Sequence, residues 1–126
     1  MTEVARFQTP NRMYSHNVRI IVDENPLNAI LDYVFDENGI LPVAVWIKTK
    51  KSESTLDREL RSSSKAVSLL LQYGCPLKDI SDTFTRDSII GSVIWYINKN
   101  IEDILAGNQP DKTPNLSTQP TGYTIK

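Results

Sequence analysis

The chain has 126 residues, 40% of them hydrophobic and 23% charged, with a net charge of −1 at neutral pH. That is sequence for one domain with a real core, leaving no room for a second sizeable one, and the charge balance argues against a generally basic nucleic-acid binder. One cysteine, Cys75, excludes an internal disulfide, and one cysteine with one histidine, His16, exclude the usual His/Cys zinc cages.

Residues 1–15 are polar, carry Pro10, Asn11 and Arg12, and read as an extended N-terminal arm. MTEVARFQTP lacks the apolar core of a signal peptide. No apolar run approaches the roughly 20 residues that cross a bilayer, so a soluble cytoplasmic protein without membrane contact is expected. His16 to Val22 is rich in β-branched residues and predicts a strand, and Asp23-Glu24-Asn25-Pro26 predicts a turn. From Leu27 to Phe35 the period is two: Leu27, Ala29, Leu31, Tyr33 and Phe35 alternate with Asn28, Ile30, Asp32 and Val34. Asn38-Gly39 supplies the positive φ of a second turn. Ile40 to Lys48 is a third strand, in which Val43, Val45 and Ile47 oppose Ala44 and Trp46. Pro42 lies near its start, where a missing amide costs least. Trp46, Tyr33 and Phe35 are expected in the sheet core.

After Lys51 the period becomes helical, through Leu56, Leu60, Val67, Leu70 and Leu71, with Ser63, Ser64 and Ala66 as small residues between them. Ser54 or Thr55 is the expected N-cap, and Gly74 fits the left-handed position that closes the helix. Pro76 suits the first position of a short second helix marked by Leu77, Ile80 and Phe84. Asp87 is the expected cap of a third, whose apolar stripe runs from Ile90 to Leu105 and ends near Gly107. Trp95 and Tyr96 are adjacent, so only one faces a given core. With the broad apolar arc of that helix, this predicts a homodimer. Residues 108–122 hold three prolines and almost no apolar side chain and read as flexible; Tyr123 to Lys126 pair as an edge strand or stay loose. The expected fold is α+β, a small antiparallel sheet of about three strands followed by three helices packed on one face. The arm spans 1–15, the domain 16–107 and the flexible tail 108–126.

The chemistry-bearing candidate is the strand-to-helix junction. Lys48, Lys50 and Lys51 precede Ser52, Ser54 and Thr55 at a helix start, where free amides and the dipole favour an anion. The plainer alternative is a capped helix with a solvated basic turn, and Glu53 and Asp57 would repel an anion if they pointed inward. Between residues 48 and 65 six basic residues face three acidic ones, and Arg58, Arg61 and Lys65 share a helix face. That face is either solvated or binds a phosphate-bearing partner. His16 is the one imidazole, but its neighbour Ser15 points to the opposite face of a strand. No spacing calls for a metal, and no glycine-rich loop suggests a P-loop or Rossmann site.

The stretch from Pro10-Asn11-Arg12 through the strands to KSESTLDRELRSSSKAVSLLLQYGCPLKDISDTFTRDSIIG resembles the TSCPD domain, found at the C-terminus of adenosylcobalamin-dependent ribonucleotide reductases and in small stand-alone proteins. The most specific part is residues 68–87, SLLLQYGCPLKDISDTFTRD, with its leucine-rich helix end, Gly-x-Pro-Leu corner and short helix closing on Thr-Arg-Asp. Lys51-Ser52-Glu53-Ser54 is similar to the family's Gly-Lys-x-Gly-Ser loop with its glycines replaced. The reductase-attached versions carry cysteines suited to metal or redox work, whereas this sequence has Cys75 alone. Its 126 residues cannot hold a radical site, a redox cysteine pair and a cobalamin pocket. The resemblance therefore implies a non-catalytic accessory or binding module in deoxynucleotide metabolism, without cofactor or metal, that binds a nucleotide-like anion or a reductase subunit. In this reading Lys50 and Lys51 supply charge, and Ser52, Ser54 and Thr55 supply donors. Arg86, matched to Thr-Arg-Asp, pairs with Asp87 or reaches the same anion. A protein–protein adaptor without a ligand, a sequestering protein for a signalling nucleotide, and an enzyme using His16 or Cys75 are the alternatives.

Overall fold

Two tight turns build the sheet of the computed structural model, which describes residues 13–50, 54–107 and 113–118. Asp23 and Glu24 adopt φ of +49° and +66°, the primed-turn geometry whose twist suits a hairpin. They join β1, Tyr14–Val22, to β2, Asn25–Asp36. The Asn25 carboxamide donates to the carbonyls of Val22 and Asp23, steadying a turn that has no glycine. A second two-residue turn leads to β3, Gly39–Thr49. Here Gly39 takes φ of +113° and the Asn38 amide donates to Asp36 Oδ1 at 2.8 Å.

The register of that second hairpin changes once, and the change decides which residues face the core. Near the turn Tyr33 lies opposite Pro42; one step on, Asp32 lies opposite Ala44, leaving Val43 as a bulge on β3. A one-residue slip moves a whole strand to its other face. Beyond the bulge Val45 and Ile47 align with Leu31 and Ala29 on the core side, and Trp46 and Lys48 align with Ile30 and Asn28 on the other. β1 continues both rows. Val18, Ile20 and Val22 are buried with the core, whereas Asn17, Arg19 and Ile21 share the outer face.

Helices cover the core side. α1, Thr55–Gln72, starts at Ser54, whose Oγ accepts from the Asp57 amide at 3.1 Å. It ends as expected at Gly74, where φ of +96° is open to glycine at no steric cost. Pro76 is the N-cap of α2, Leu77–Thr83, one position before the helix proper. α3, Ile89–Leu105, is capped by Ser88, which accepts from the Gly91 amide at 3.0 Å, and not by Asp87. Asp87 instead accepts from the Thr85 hydroxyl. Leu60, Val67 and Leu71 of α1 and Ile90, Val93, Ile94, Ile97 and Ile104 of α3 meet the sheet in one apolar cluster. The wide apolar arc of α3 is thus used largely inside the protomer. The large exposed apolar groups of the helical layer lie at the end of α1, at Leu69 and Leu70, and at its C-cap, Tyr73.

Phe35 and Trp46 depart from the expected core. Phe35 is 60% exposed, and it forms a surface cluster with Tyr14 and Tyr33, ring centroids 5.5–5.6 Å apart. Trp46 is half-buried on the outer face, its indole N–H donating to Asp32 Oδ2.

α1 also closes the free edge of β3. Ser64 Oγ accepts from the Ile47 amide at 3.1 Å. Ser68 Oγ accepts from the Val45 amide and donates to the Val45 carbonyl, and the Gln72 carboxamide donates to the Val43 carbonyl. Asp57 accepts from the Thr49 hydroxyl at 3.1 Å. These α1 residues recur four or seven apart along one helix ridge, and Ser64 and Ser68 are fully buried, 0% and 2% exposed. A row of side chains therefore takes the place of a neighbouring strand.

The opposite edge is closed by a segment expected to be flexible. Within residues 108–122, Asn115–Leu116 form β4, parallel to Ile21 and Val22 of β1, so the sheet has four strands in the order β3-β2-β1-β4. Asp23 fastens this strand by accepting from the Thr118 hydroxyl and, at 2.9 Å, from the Thr118 amide. The hydroxyl contact, then the amide, holds the Asp23 carboxyl below its ordinary range. A folded-state value below the unfolded one means that the tie is present at neutral pH and is lost as pH falls through the folded value. Acidification is expected to lower amide protection at Thr118 and Asp23 before the three-stranded core responds, and Asp23→Ala to do so already at pH 7. Equal protection of both regions throughout the titration would contradict this.

Candidate functional site

The outer face concentrates its cations at one end. Register places Arg19 opposite Asn28 and Asn28 opposite Lys48. Adjacent strands lie about 4.8 Å apart, so Arg19 and Lys48 flank one carboxamide across three strands. Lys50 follows just after the end of β3 and lines a cleft with Arg19 and Asn28. Asn28 Oδ1 is buried and has no hydrogen-bond partner among the described residues. A buried acceptor left open is costly unless something donates to it.

Lys50 links two clefts. One, of about 260 Å³, is lined by Asn25, Pro26, Thr49, Lys50, Ser54 and Leu56 at the start of α1. The other, of about 460 Å³, shares Pro26 and Lys50 and adds Arg19, Ile21, Asn28 and Thr113. Lys50 and Ser54 therefore come together as the sequence suggests. Thr55 is the first residue of α1 and is exposed, and Lys51 and Ser52 lie outside the described residues. Asp57 in the first turn already complements the helix dipole. The more cationic ground is thus the outer sheet face beside the helix start.

Arg86 is placed differently. Its guanidinium carbon lies 3.9 Å from the centroid of the Trp95 ring, with Lys99 Nζ at 4.9 Å from the same ring. This cation–π stack gives the half-exposed Trp95 its partner, while Tyr96 turns into the core. Neither Lys50 cleft has Arg86 among its described lining residues. His16 and Ser15 fall on opposite faces, and the Ser15 hydroxyl donates to Asp32 at 2.5 Å. No group of three His, Cys, Asp or Glu converges on a metal position among the described residues. No helix among them is long and apolar enough to cross a membrane.

Sequence reasoning misses Arg19 and Asn28. The signal that finds them is the two-residue turn between Val22 and Asn25, which by itself sets residue 19 opposite residue 28. No protein-family model, curated protein or solved structure matches the chain.

Proposed function

We propose that the protein is a non-catalytic binding module for a nucleotide-like anion, seated at the Lys50 corner. The carrying observation is that Arg19, Asn28 and Lys50 line one cleft, with Lys50 also lining a second beside it. The cations supply charge for a phosphate. Ile21 and Pro26 give an apolar wall for the rest of the ligand. The similarity of residues 68–87 to the TSCPD pattern favours nucleotides over other anions, and a reductase subunit as the protein that such a module would serve.

Isothermal titration against a panel of mono-, di- and cyclic nucleotides tests the reading. Binding that weakens about tenfold or more in Lys50→Glu or Arg19→Glu, equivalent to about 1.4 kcal/mol, and that falls steeply with added salt, is the expected result. No heat with any nucleotide at millimolar concentration would reject the ligand and leave the adaptor, for which the exposed Leu69, Leu70 and Tyr73 at the end of α1 offer a surface.

A further inference from the structure

A third cleft, of about 410 Å³, lies where α1 runs along the edge of β3, and it differs from the Lys50 corner in having an aromatic wall. Trp46 and Lys48 line it from the strand, and Arg61 and Lys65 from the helix. We propose that this cleft is a separate site for a small aromatic phosphate of the nucleoside monophosphate class.

Charge is the first argument. Asp57 is the one acidic group among the described lining residues, and it is engaged already: Arg61 bridges it at 2.6 Å and the Thr49 hydroxyl donates to it. Lys48 and Lys65 form no ion pair with a described residue. Two ammonium groups from two different elements thus border a space whose single carboxylate is neutralised. Held by an edge strand and a packed helix, they flank the cleft without requiring a loop to fold around the ligand.

The aromatic wall is the second. Trp46 lines the cleft, and its N–H is fixed on Asp32 Oδ2 at 3.2 Å, so the ring is anchored at its polar edge. An anchored indole suits stacking of a flat heterocycle. The floor offers a ligand little, because Ser64 is fully buried with its Oγ accepting from the Ile47 amide. Recognition therefore falls to the ring and the rim cations together, which selects a ligand carrying both an aromatic plane and a phosphate over either part alone. The volume lies in the ~300–1,000 Å³ range of small-molecule sites.

Trp46 fluorescence in a full-length Trp95→Phe background reports from the wall of this cleft, because Trp46 and Trp95 are the two tryptophans of the chain. AMP is expected to quench it saturably, with adenosine and inorganic phosphate each at least tenfold weaker. Lys48→Ala/Lys65→Ala is expected to weaken AMP at least tenfold, and Lys65→Glu alone, on an exposed helix position, to do the same. Lys50→Glu is expected to leave the quench within about twofold. No quench by millimolar AMP, an equal response to inorganic phosphate, or a quench lost in Lys50→Glu but kept in the Lys48/Lys65 variants overturns the proposal. The last of these outcomes would leave the Lys50 corner standing, whereas AMP quenching without any Lys50-dependent binding would keep this cleft and remove the corner.

Discussion

Gly91→Ala is expected to lower the stability of the protein by about 3 kcal/mol and its melting temperature by roughly 10 °C. Propensity alone points the other way, since alanine in a helix gains about 1 kcal/mol over glycine. The packing decides. A Cβ at position 91 would sit 1.9 Å from the Thr85 carbonyl oxygen and 2.7 Å from Ser88 Oγ. The first neighbour is backbone, and the Ser88 side chain can swing aside only by giving up its cap. The Thr85 carbonyl is backbone and accepts from both the Ser88 amide and the Ser88 hydroxyl, and Ser88 caps α3 through the Gly91 amide. Relieving the clash means moving the loop between α2 and α3 or losing the cap. Ser88→Ala, which removes the cap without adding bulk, is expected to cost only about 1 kcal/mol. Urea denaturation of the two variants makes the comparison, and a Gly91→Ala protein as stable as the parent would show that the loop yields.

The second large effect concerns the edge of β3. Ser68→Ala leaves both the amide and the carbonyl of Val45 without a partner in a buried position, at a cost of about 2–3 kcal/mol. Ser64→Ala orphans the Ile47 amide and costs about 1–2 kcal/mol, and the double variant about 4 kcal/mol. Exposed Ala66→Ser on the same helix changes little. Amide exchange localises the effect: Val45 and Ile47 lose protection, while Val18 and Ile20, on the far side of β2, keep theirs until global unfolding. Uniform loss across all four amides would mean that the serines act through general stability and not through the edge.

These serines show where sequence reading stops. Ser64 stands out as a small residue on the long helix, and small residues between leucines suggest close approach. Hydroxyls facing an open strand backbone are invisible without knowing that the helix lies along that strand. The three strands, three helices, both turns and the Ser54 cap follow from periodicity and turn chemistry, because each is set by neighbours in the chain. The bulge at Val43 was legible in principle. The turn ending at Gly39 sets Tyr33 against Pro42, a register that continued unbroken would put Trp46 inward beside Ala29, and the run Val45-x-Ile47 demands the opposite. Pro42, unable to donate, marks where the extra residue fits. The aromatic residues mislead for a related reason. Tyr33 and Phe35 continue the core row of β2, but that row runs on past the apolar cluster, and Phe35 is left to pack on Tyr14 and Tyr33. At the candidate site, Lys50 and Ser54 are adjacent enough in sequence to be read as a pair. Arg19 and Asn28 reach the same corner only through strand pairing, and Arg86, read as an anion ligand, is held by a ring nine residues further along the chain.

The parallel pairing of Asn115 and Leu116 with Ile21 and Val22 joins residues separated by almost the whole described chain, whereas every other strand pair is a hairpin. Closing so long a loop for two ladder pairs is entropically the least favourable step in assembly. The meander and its covering helices can be in place before it occurs. The last segment to dock in folding is then also the first to open in the native state, which makes this margin of the sheet the natural entry point for a protease and the site where a fused partner would disturb the domain least.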